Sequence, residues 1–356
     1  MKRMAELRAN RAAPPFSESI ESRENRWLKR FRAALSGESA RGGASARPRA
    51  DSSNQGFPEG EIAGVEGARL VETALHSGAE ILALLFSDTG AKHMRRLQPS
   101  IPPGARLLRT TDRLFAFASG TETPQGVAAL VRPRLGTFDD LIGGTPLILI
   151  LAGVQDPGNV GTLVRTAEAL GASGVAACAA GAIGTANPFS PKALRASAGA
   201  ALRLPIARGL SAPVLLAQLR IAGVCVCAAC PDEASLAGGA ASRASEPSRA
   251  SERSIASERG AASARGNANA STRKPLAPWE IDWRGPVALL IGNEGAGLPE
   301  DLVRSADAVV RIPHAPQYNN RHNKAGGENA PAESLNAAIA GSILLYEAAR
   351  QRGLNL

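Results

Sequence analysis

The hydrophobic pattern of the second half of the chain predicts strands and helices in alternation. Short apolar runs predict buried strands at Leu147–Leu151, Val175–Cys178, Val224–Ala228, Val287–Ile291 and Ala308–Ile312. Apolar residues at helical spacing predict helices at Val160–Leu170, at Pro191–Ala201 and from Ser334 to Arg350. In the last helix Ser334 is the predicted N-cap, and the predicted inner face is Leu335, Ile339, Ile343 and Tyr346. This alternation indicates an α/β fold with a mainly parallel sheet.

The first half carries a second α/β pattern. A basic helical pattern runs from Ser19 to Leu35, and a further helix is indicated by Val65, Leu70, Val71 and Leu75. Two strands are predicted, at Ile81–Phe86 and Gly126–Val131. Glycine and proline between residues 133 and 145 indicate a linker. We therefore predict one domain over 17–135 and a second over 145–356.

Three segments contain too few large apolar residues to build a core. Residues 1–16 are predicted to be a disordered basic tail, and 36–58 a flexible insert of Gly, Ser, Ala, Arg and Pro. Residues 232–278 are predicted to be a disordered insertion in a surface loop.

Composition and charge narrow the class of protein. The 356 residues suffice for about two domains of ~150 residues each. The net charge is +9, and residues 1–50 hold 12 Lys/Arg against 5 Asp/Glu. This charge suits a polyanion such as RNA or DNA, although a solvated basic tail would give the same count. The longest apolar run is about half of the ~18 residues that a membrane span needs, and four cysteines are too few for a disulfide framework. The N-terminal residues lack a secretory pattern, so we expect a cytoplasmic protein without a membrane partner.

Candidate chemistry lies in three segments. Gly153–Gly161 forms a turn from strand to helix, in which Asn159 lies where its side chain can cap the helix. Arg165 follows off the apolar face, so it points to a groove or only to solvent. Leu290–Leu298 places three glycines after a buried strand, where exposed backbone amides can approach a ligand. In the third segment, Asn336 either binds a polar ligand with its amide or only caps the last helix.

Together these segments resemble the SpoU/TrmH family of RNA ribose 2′-O-methyltransferases within the SPOUT superfamily. The resembling stretches are Asp156–Gly161 with Arg165, Thr166 and Glu168, then Ile291–Gly295, then Ile312–Pro313 with Glu333–Asn336. Ser190–Gly199 resembles a stretch of members that modify ribosomal RNA. Ser22–Asn25 and Val65–Leu70 resemble the small ribosomal-protein-like RNA-binding domain that often precedes the catalytic domain.

The resemblance implies a mainly parallel α/β sheet with a C-terminal trefoil knot, preceded by a small α/β ribosomal-protein-like RNA-binding domain. It also implies S-adenosylmethionine bent in the knot, and a homodimer with each active site near the interface. The implied cofactor-binding residues are Gly292, Asn293, Glu294, Gly295, Ile312, Leu335 and Asn336. The implied catalytic and substrate residues are Arg165 and Asn159, supported by Glu168 and Ser334.

The sequence departs from the family pattern in its third motif. A loop insertion at 314–332 interrupts the motif, and His314 stands where methionine is common. The inserted Arg321, His322 and Lys324 are either RNA contacts or part of a tolerated surface loop. Cys225, Cys227 and Cys230 are read as core cysteines, because alternate strand residues face opposite ways; no metal site is expected.

The sequence thus predicts an S-adenosylmethionine-dependent RNA 2′-O-methyltransferase. Ribosomal RNA, in particular 23S rRNA, is the first candidate substrate and transfer RNA the second. The alternatives are a non-catalytic RNA-binding protein that keeps the fold, and a SPOUT enzyme that methylates a base.

Overall fold

A computed structural model describes residues 16–37, 61–230, 274–314 and 335–353. The strands are β1 Glu18–Ile20, β2 Ala63–Glu66, β3 Glu80–Ser87, β4 Arg106–Thr110, β5 Val127–Arg132, β6 Leu147–Ala152, β7 Gly174–Ala179, β8 Ile206–Ser211, β9 Cys225–Ala229, β10 Val287–Ile291 and β11 Ala308–Val310. The α-helices are α1 Arg26–Ser36, α2 Ala68–Leu75, α3 Met94–Leu97, α4 Asp112–Ala118, α5 Phe138–Leu141, α6 Pro157–Ala169, α7 Pro191–Ala196, α8 Ala212–Ile221, α9 Glu300–Ser305 and α10 Ala337–Gln351.

The strands form two sheets. The first has the order β1-β4-β3-β5-β2, in which β5 runs antiparallel to both of its neighbours. The second has the order β11-β9-β10-β6-β7-β8, and all of its described pairs are parallel. The predicted mainly parallel sheet of the second half is confirmed. In this sheet β6 and β10 are neighbours, so the loops that follow them emerge side by side.

Burial on both faces explains the composition of the central strands. All residues of β6 and β10 are buried, because helices cover each side of the sheet. Leu149 and Leu289 belong to the cluster that includes α6 and α10, whereas Ile150 and Leu290 belong to the cluster with α8 and α9. Each such side chain contributes about 1.5–3 kcal/mol when fully buried.

Glycines let three helices pack closely beside the site. A side chain at Gly161 of α6 would collide with the backbone of Ala193 in α7. A side chain at Gly341 of α10 would collide with Leu163 of α6. The three helices therefore hold the turn that begins at Asp156 in a fixed position against the sheet.

The first half of the chain contacts the second through polar and apolar groups. Glu61 accepts a hydrogen bond from Asn187 Nδ2 at 2.6 Å and forms an ion pair with Arg208. Arg208 also lies over the Phe189 ring at 5.8 Å. Apolar residues of both halves share one buried cluster. The division into domains at residues 133–145 stays a prediction, and that segment contains the short helix α5.

Several predicted helix boundaries were wrong. Helix α6 begins at Pro157 with Asp156 as its N-cap, so Asn159 lies inside the first turn and does not cap the helix. Helix α10 begins at Ala337 with Asn336 as its N-cap, three residues after the start predicted from Ser334. The predicted helix over 191–201 ends at Ala196, because the next turn passes through positive φ values at two residues, Ala198 and Gly199.

The predicted inner face of the last helix was also wrong. Its buried residues are Ala338, Gly341, Leu344, Leu345, Ala348 and Ala349. The residues predicted to face inward are exposed, by 37% at Leu335, 55% at Ile339, 39% at Ile343 and 47% at Tyr346. The helix has apolar residues on two sides, and periodicity cannot tell which side meets the sheet.

In the first half, the pattern over 19–35 combines the end of β1 with α1, which starts after the N-cap Asn25. Val65, assigned to a helix, lies in β2. Within the predicted insertion at 232–278, Leu276 forms a parallel bridge to Val310 at the edge of the second sheet. Residues 232–273 of that insertion, most of the tail at 1–16 and of the insert at 36–58, and most of the loop at 314–332 lie outside the described residues. So do Glu333 and Ser334.

Candidate active site

The turn after β10 is shaped by Asn293. Its Nδ2 donates to the carbonyl oxygen of Gly153 at 2.9 Å, which joins the turn to the loop after β6. Its Oδ1 accepts the backbone N–H groups of Gly295 at 2.9 Å and Ala296 at 2.8 Å. A Cβ at Gly292 would lie 2.6 Å from the carbonyl carbon of Gly297, so this close approach requires glycine.

Glu294 connects this turn to the first turn of α6. Its carboxylate accepts the backbone N–H of Gln155 at 3.1 Å and of Asp156 at 3.2 Å, and Asn159 Nδ2 at 2.9 Å. Burial opposes ionisation of Glu294, but these hydrogen bonds outweigh it and lower the pKa of the carboxyl group. Glu294 is therefore an ionised anchor at neutral pH.

Asn336 adds the third segment. Its Nδ2 donates to Asn159 Oδ1 at 3.2 Å, while its Oδ1 accepts the N–H groups of Ala338 at 2.8 Å and Ile339 at 3.3 Å. Asn159 lies 135 residues from Glu294 and 177 residues from Asn336 in sequence. One hydrogen-bonded chain, Glu294–Asn159–Asn336, thus joins all three segments that the sequence singled out.

A cavity of about 760 Å³, including the part that opens to solvent, lies at the carboxyl ends of β9, β10 and β11. Its lining includes six of the seven predicted cofactor residues: Gly292, Asn293, Glu294, Gly295, Ile312 and Leu335. Asn336, the seventh, holds the chain of hydrogen bonds beside it. The sequence analysis did not single out five other lining residues, Ala229, Cys230, Ala337, Ala340 and Leu344. The first two could have been found, because ligands in parallel sheets bind at the carboxyl ends of strands.

The predicted catalytic residues on α6 have different surroundings. Arg165 is exposed, and its guanidinium makes no hydrogen bond or ion pair with any other described residue. The Glu168 carboxylate accepts two hydrogen bonds from the Arg203 guanidinium, at 2.7 and 2.6 Å. At the other end of α6, Lys192 binds the Asp156 carboxylate at 3.1 and 3.2 Å.

An exposed apolar groove borders the same helix. It is lined by Thr162 of α6 and by Ala338, Ile339, Ser342, Ile343 and Tyr346 of α10. Arg165 lies one helical turn beyond Thr162 and therefore at the border of this groove.

The cysteines lie in the core, as predicted for Cys227 and Cys230, whereas Cys225 is half-buried. Burial raises the pKa of the Cys230 thiol, which also lines the cavity. Within the described ranges, no helix has the length and apolar character needed to cross a membrane.

The structure has a parallel α/β sheet with a glycine-lined cavity at the carboxyl ends of its strands, beside a smaller mixed sheet. The solved structures that it resembles are SPOUT-type methyltransferases. The sequence matches the SpoU rRNA Methylase family over residues 146–249 and 254–320, and the MRM3-like substrate binding domain over 61–129. It is 30% identical over 296 residues to an uncharacterized tRNA/rRNA methyltransferase of Synechocystis, covering 81% of this chain and 84% of that protein.

Two further comparisons also find rRNA methyltransferases. The chain is 28% identical to the 23S rRNA (guanosine(2553)-2′-O)-methyltransferase RlmP of Bacillus subtilis, covering 79% of this chain and 86% of the relative. The structure of an AdoMet-bound rRNA methyltransferase from Sinorhizobium meliloti matches with a TM-score of 0.63 and 26% identity, covering 93% of this chain and 97% of that chain. The chain belongs to the SpoU family of RNA methyltransferases.

Proposed function

We propose that this chain transfers a methyl group from S-adenosylmethionine to a ribose 2′-hydroxyl of RNA, with 23S rRNA as the first candidate substrate and tRNA as the second. The observation that carries the proposal is the Glu294–Asn159–Asn336 chain, which fixes three separate segments around one cavity. The relative from Bacillus subtilis is named as a 23S rRNA 2′-O-methyltransferase, and we infer that this chain acts on RNA in the cytoplasm.

The cavity suits an adenosyl group. Apolar walls from Ile291, Ile312 and Leu344 can cover a flat ring, while the backbone of the turn that begins at Gly292 offers donors and acceptors for its polar edge. Its residues therefore fit S-adenosylmethionine, which supplies a methyl group already activated by a sulfonium. Gly292, Asn293, Glu294, Gly295, Ile312, Leu335 and Asn336 would hold it.

Arg165 is assigned to the substrate. An exposed guanidinium without a described carboxylate partner can bind the phosphate beside the target ribose and orient the 2′-hydroxyl. It does not act as a simple base, because a guanidinium stays protonated. The hydroxyl proton passes to the phosphate or to water. Asn159 positions the turn beneath the substrate, and Glu168 supports α6 through Arg203. A supporting role of Ser334 stays a prediction.

A second copy of the chain is assigned to the apolar groove of α6 and α10. The groove exposes Ile339, Ile343 and Tyr346 side by side, and an apolar patch of this kind on a helix pair is typical of an interface. Arg165 would then lie beside the interface. Ile343→Asp is expected to give a monomer in light scattering, whereas Ile221→Asp, at an exposed residue of α8, should leave the dimer intact. A monomeric wild-type protein would contradict the assignment.

The direct test uses methyl-labelled S-adenosylmethionine and 23S rRNA fragments, followed by digestion to nucleosides. We expect the label in a 2′-O-methyl nucleoside. Label in a methylated base would replace ribose methylation with base methylation. RNA binding without any transfer, in the presence of bound cofactor, would instead favour a non-catalytic RNA-binding protein.

A further inference from the structure

A cluster of two arginines and one phenylalanine lies on the first-half domain, away from the cavity. The Arg23 guanidinium lies 4.5 Å from the centre of the Phe117 ring, and the Arg32 guanidinium lies 4.3 Å from the same centre. Arg23 precedes α1, Arg32 lies within it and Phe117 lies on α4. We call these three residues the arginine–phenylalanine cluster.

The surrounding core holds the ring in place. Phe115 and Ala118, on the same helix as Phe117, are each only 1% exposed and pack with α1 in one apolar cluster. Phe117 is half-buried at the border of that cluster, so it presents its ring to the surface. The ring attracts both cations and limits the directions that their flexible side chains explore.

The guanidinium charges of Arg23 and Arg32 are not neutralised by a described carboxylate. Arg23 and Arg32 are exposed, and neither guanidinium forms an ion pair or hydrogen bond with another described residue. By contrast, Arg96 is paired with Glu72 and Arg109 with Asp88 in the same domain. A guanidinium held by its face keeps its N–H groups directed outward at its edge, where they match phosphate oxygens.

Contacts connect this cluster to the active site. Arg32 lies five residues before Gly37, which is about 7.5 Å of helical rise. A Cβ at Gly37 would lie 3.7 Å from Pro191 Cδ, so the end of α1 meets the start of α7. The next residue, Lys192, binds Asp156 at the first turn of α6. Arg195, one turn further along α7, is exposed, and its guanidinium has no described partner.

We infer that the arginine–phenylalanine cluster binds the sugar–phosphate backbone of the RNA substrate at a distance from the methylated ribose, an inference that rests on the proposed function. The ligand is a polyanionic chain, because one molecule must reach from these two guanidinium groups to the active site. The contacts through Gly37, Pro191 and Lys192 connect the two places. The cluster carries affinity and no base specificity, since phosphate contacts do not read sequence.

The test measures the Kd of a 23S rRNA fragment by filter binding between 50 and 200 mM KCl. In Arg23→Gln/Arg32→Gln, the loss of two phosphate contacts should reduce the slope of log affinity against log salt by roughly 1.4–1.8. Wild-type protein should therefore lose roughly tenfold more affinity than the variant over this range. The control, Arg109→Gln/Arg284→Gln, removes the same charge from arginines that carboxylates already neutralise.

The control should keep the wild-type slope. An unchanged slope in the cluster variant, or an equal loss in the control, would overturn the inference. The affinity for S-adenosylmethionine should stay within twofold in both variants. Failure of the proposed function would show differently, as a wild-type protein that transfers no methyl group to any RNA. If the enzyme is active but the cluster variant keeps the wild-type salt slope, the inference fails and the proposed function stands.

Discussion

Asn159→Asp tests whether the three segments depend on one another. The substitution keeps the shape of the side chain but replaces the Nδ2 donor, which lies 2.9 Å from Glu294 Oε1, with a carboxylate oxygen. A hydrogen bond becomes a contact between like charges. The hydrogen bond from Asn336 Nδ2 to Oδ1 of residue 159 can persist, so the substitution disrupts only the contact with Glu294.

Coulomb's law bounds the size of the effect. Two unit charges 2.9 Å apart repel by about 1.4 kcal/mol in bulk water and by about 6 kcal/mol at an effective dielectric constant of 20. Glu294 is exposed, so solvent screening places the cost near the lower bound, at about 2 kcal/mol. This corresponds to roughly a thirtyfold loss in cofactor affinity. The repulsion also raises the pKa of one carboxyl group of the pair, so the loss should shrink as the pH falls toward 5.

Isothermal titration calorimetry with S-adenosylmethionine provides the assay. Asn159→Asp/Glu294→Gln restores a donor opposite a carboxylate and should recover part of the affinity, which a double-mutant cycle measures. Asn159→Ala, which removes both hydrogen bonds without adding charge, should fall between wild type and Asn159→Asp. A single Asn159→Asp variant within twofold of wild type would refute the coupling of the three segments.

Three further predictions concern other residues. Arg165→Ala should lower methyl transfer by roughly 100-fold or more while the Kd of S-adenosylmethionine changes less than twofold, as single-turnover kinetics and calorimetry would show; near-normal transfer would remove Arg165 from the chemistry. Arg352→Ala removes donors to the carbonyl oxygens of Trp283 at 2.7 Å, Thr145 at 2.9 Å and Pro146 at 3.1 Å, so we expect a loss of about 2–4 kcal/mol and a lower melting temperature by calorimetry. Arg284→Ala is the exposed control. The lowered pKa of Glu294 means that its stabilising contribution is complete above its unfolded value of about 4.3 and is lost as the pH falls through its folded value. Wild-type cofactor affinity should therefore stay level from pH 6 to 8 and fall below about pH 4, more steeply than in Glu294→Gln; a fall at pH 6 would contradict this.

The sequence was sufficient for the central strands of the second sheet. The bounds of the strand Val287–Ile291 were predicted to the residue. A short, continuous apolar run between polar turns is typical of a strand whose sheet is covered on both faces. The ends of helices were harder. Asp156 and Asn159 are both residue types that cap helices. The structure shows that Asp156 is the N-cap and that Asn159 instead binds Glu294.

The last helix shows what periodicity cannot decide. Leu344 and Leu345 face the sheet, while Ile339, Ile343 and Tyr346 face outward. Both sets satisfy helical spacing, and the choice depends on Gly341, whose missing side chain lets that face approach α6. The cavity residues that lie within the motifs were predicted, whereas Cys230 lies outside every motif and joins them because β9, which it follows, pairs with β10 and β11. The trefoil knot stays a prediction.

Methylation of a ribose in RNA by the site that Glu294, Asn159 and Asn336 join can be tested in cells. Ribose methylation is mapped over the total RNA of a strain that lacks this gene, complemented with wild type or with Arg165→Ala. We expect one 2′-O-methyl position that disappears on deletion, returns with wild type and stays absent with the variant. A full set of 2′-O-methyl positions in the deletion strain, or restoration by Arg165→Ala, would contradict it.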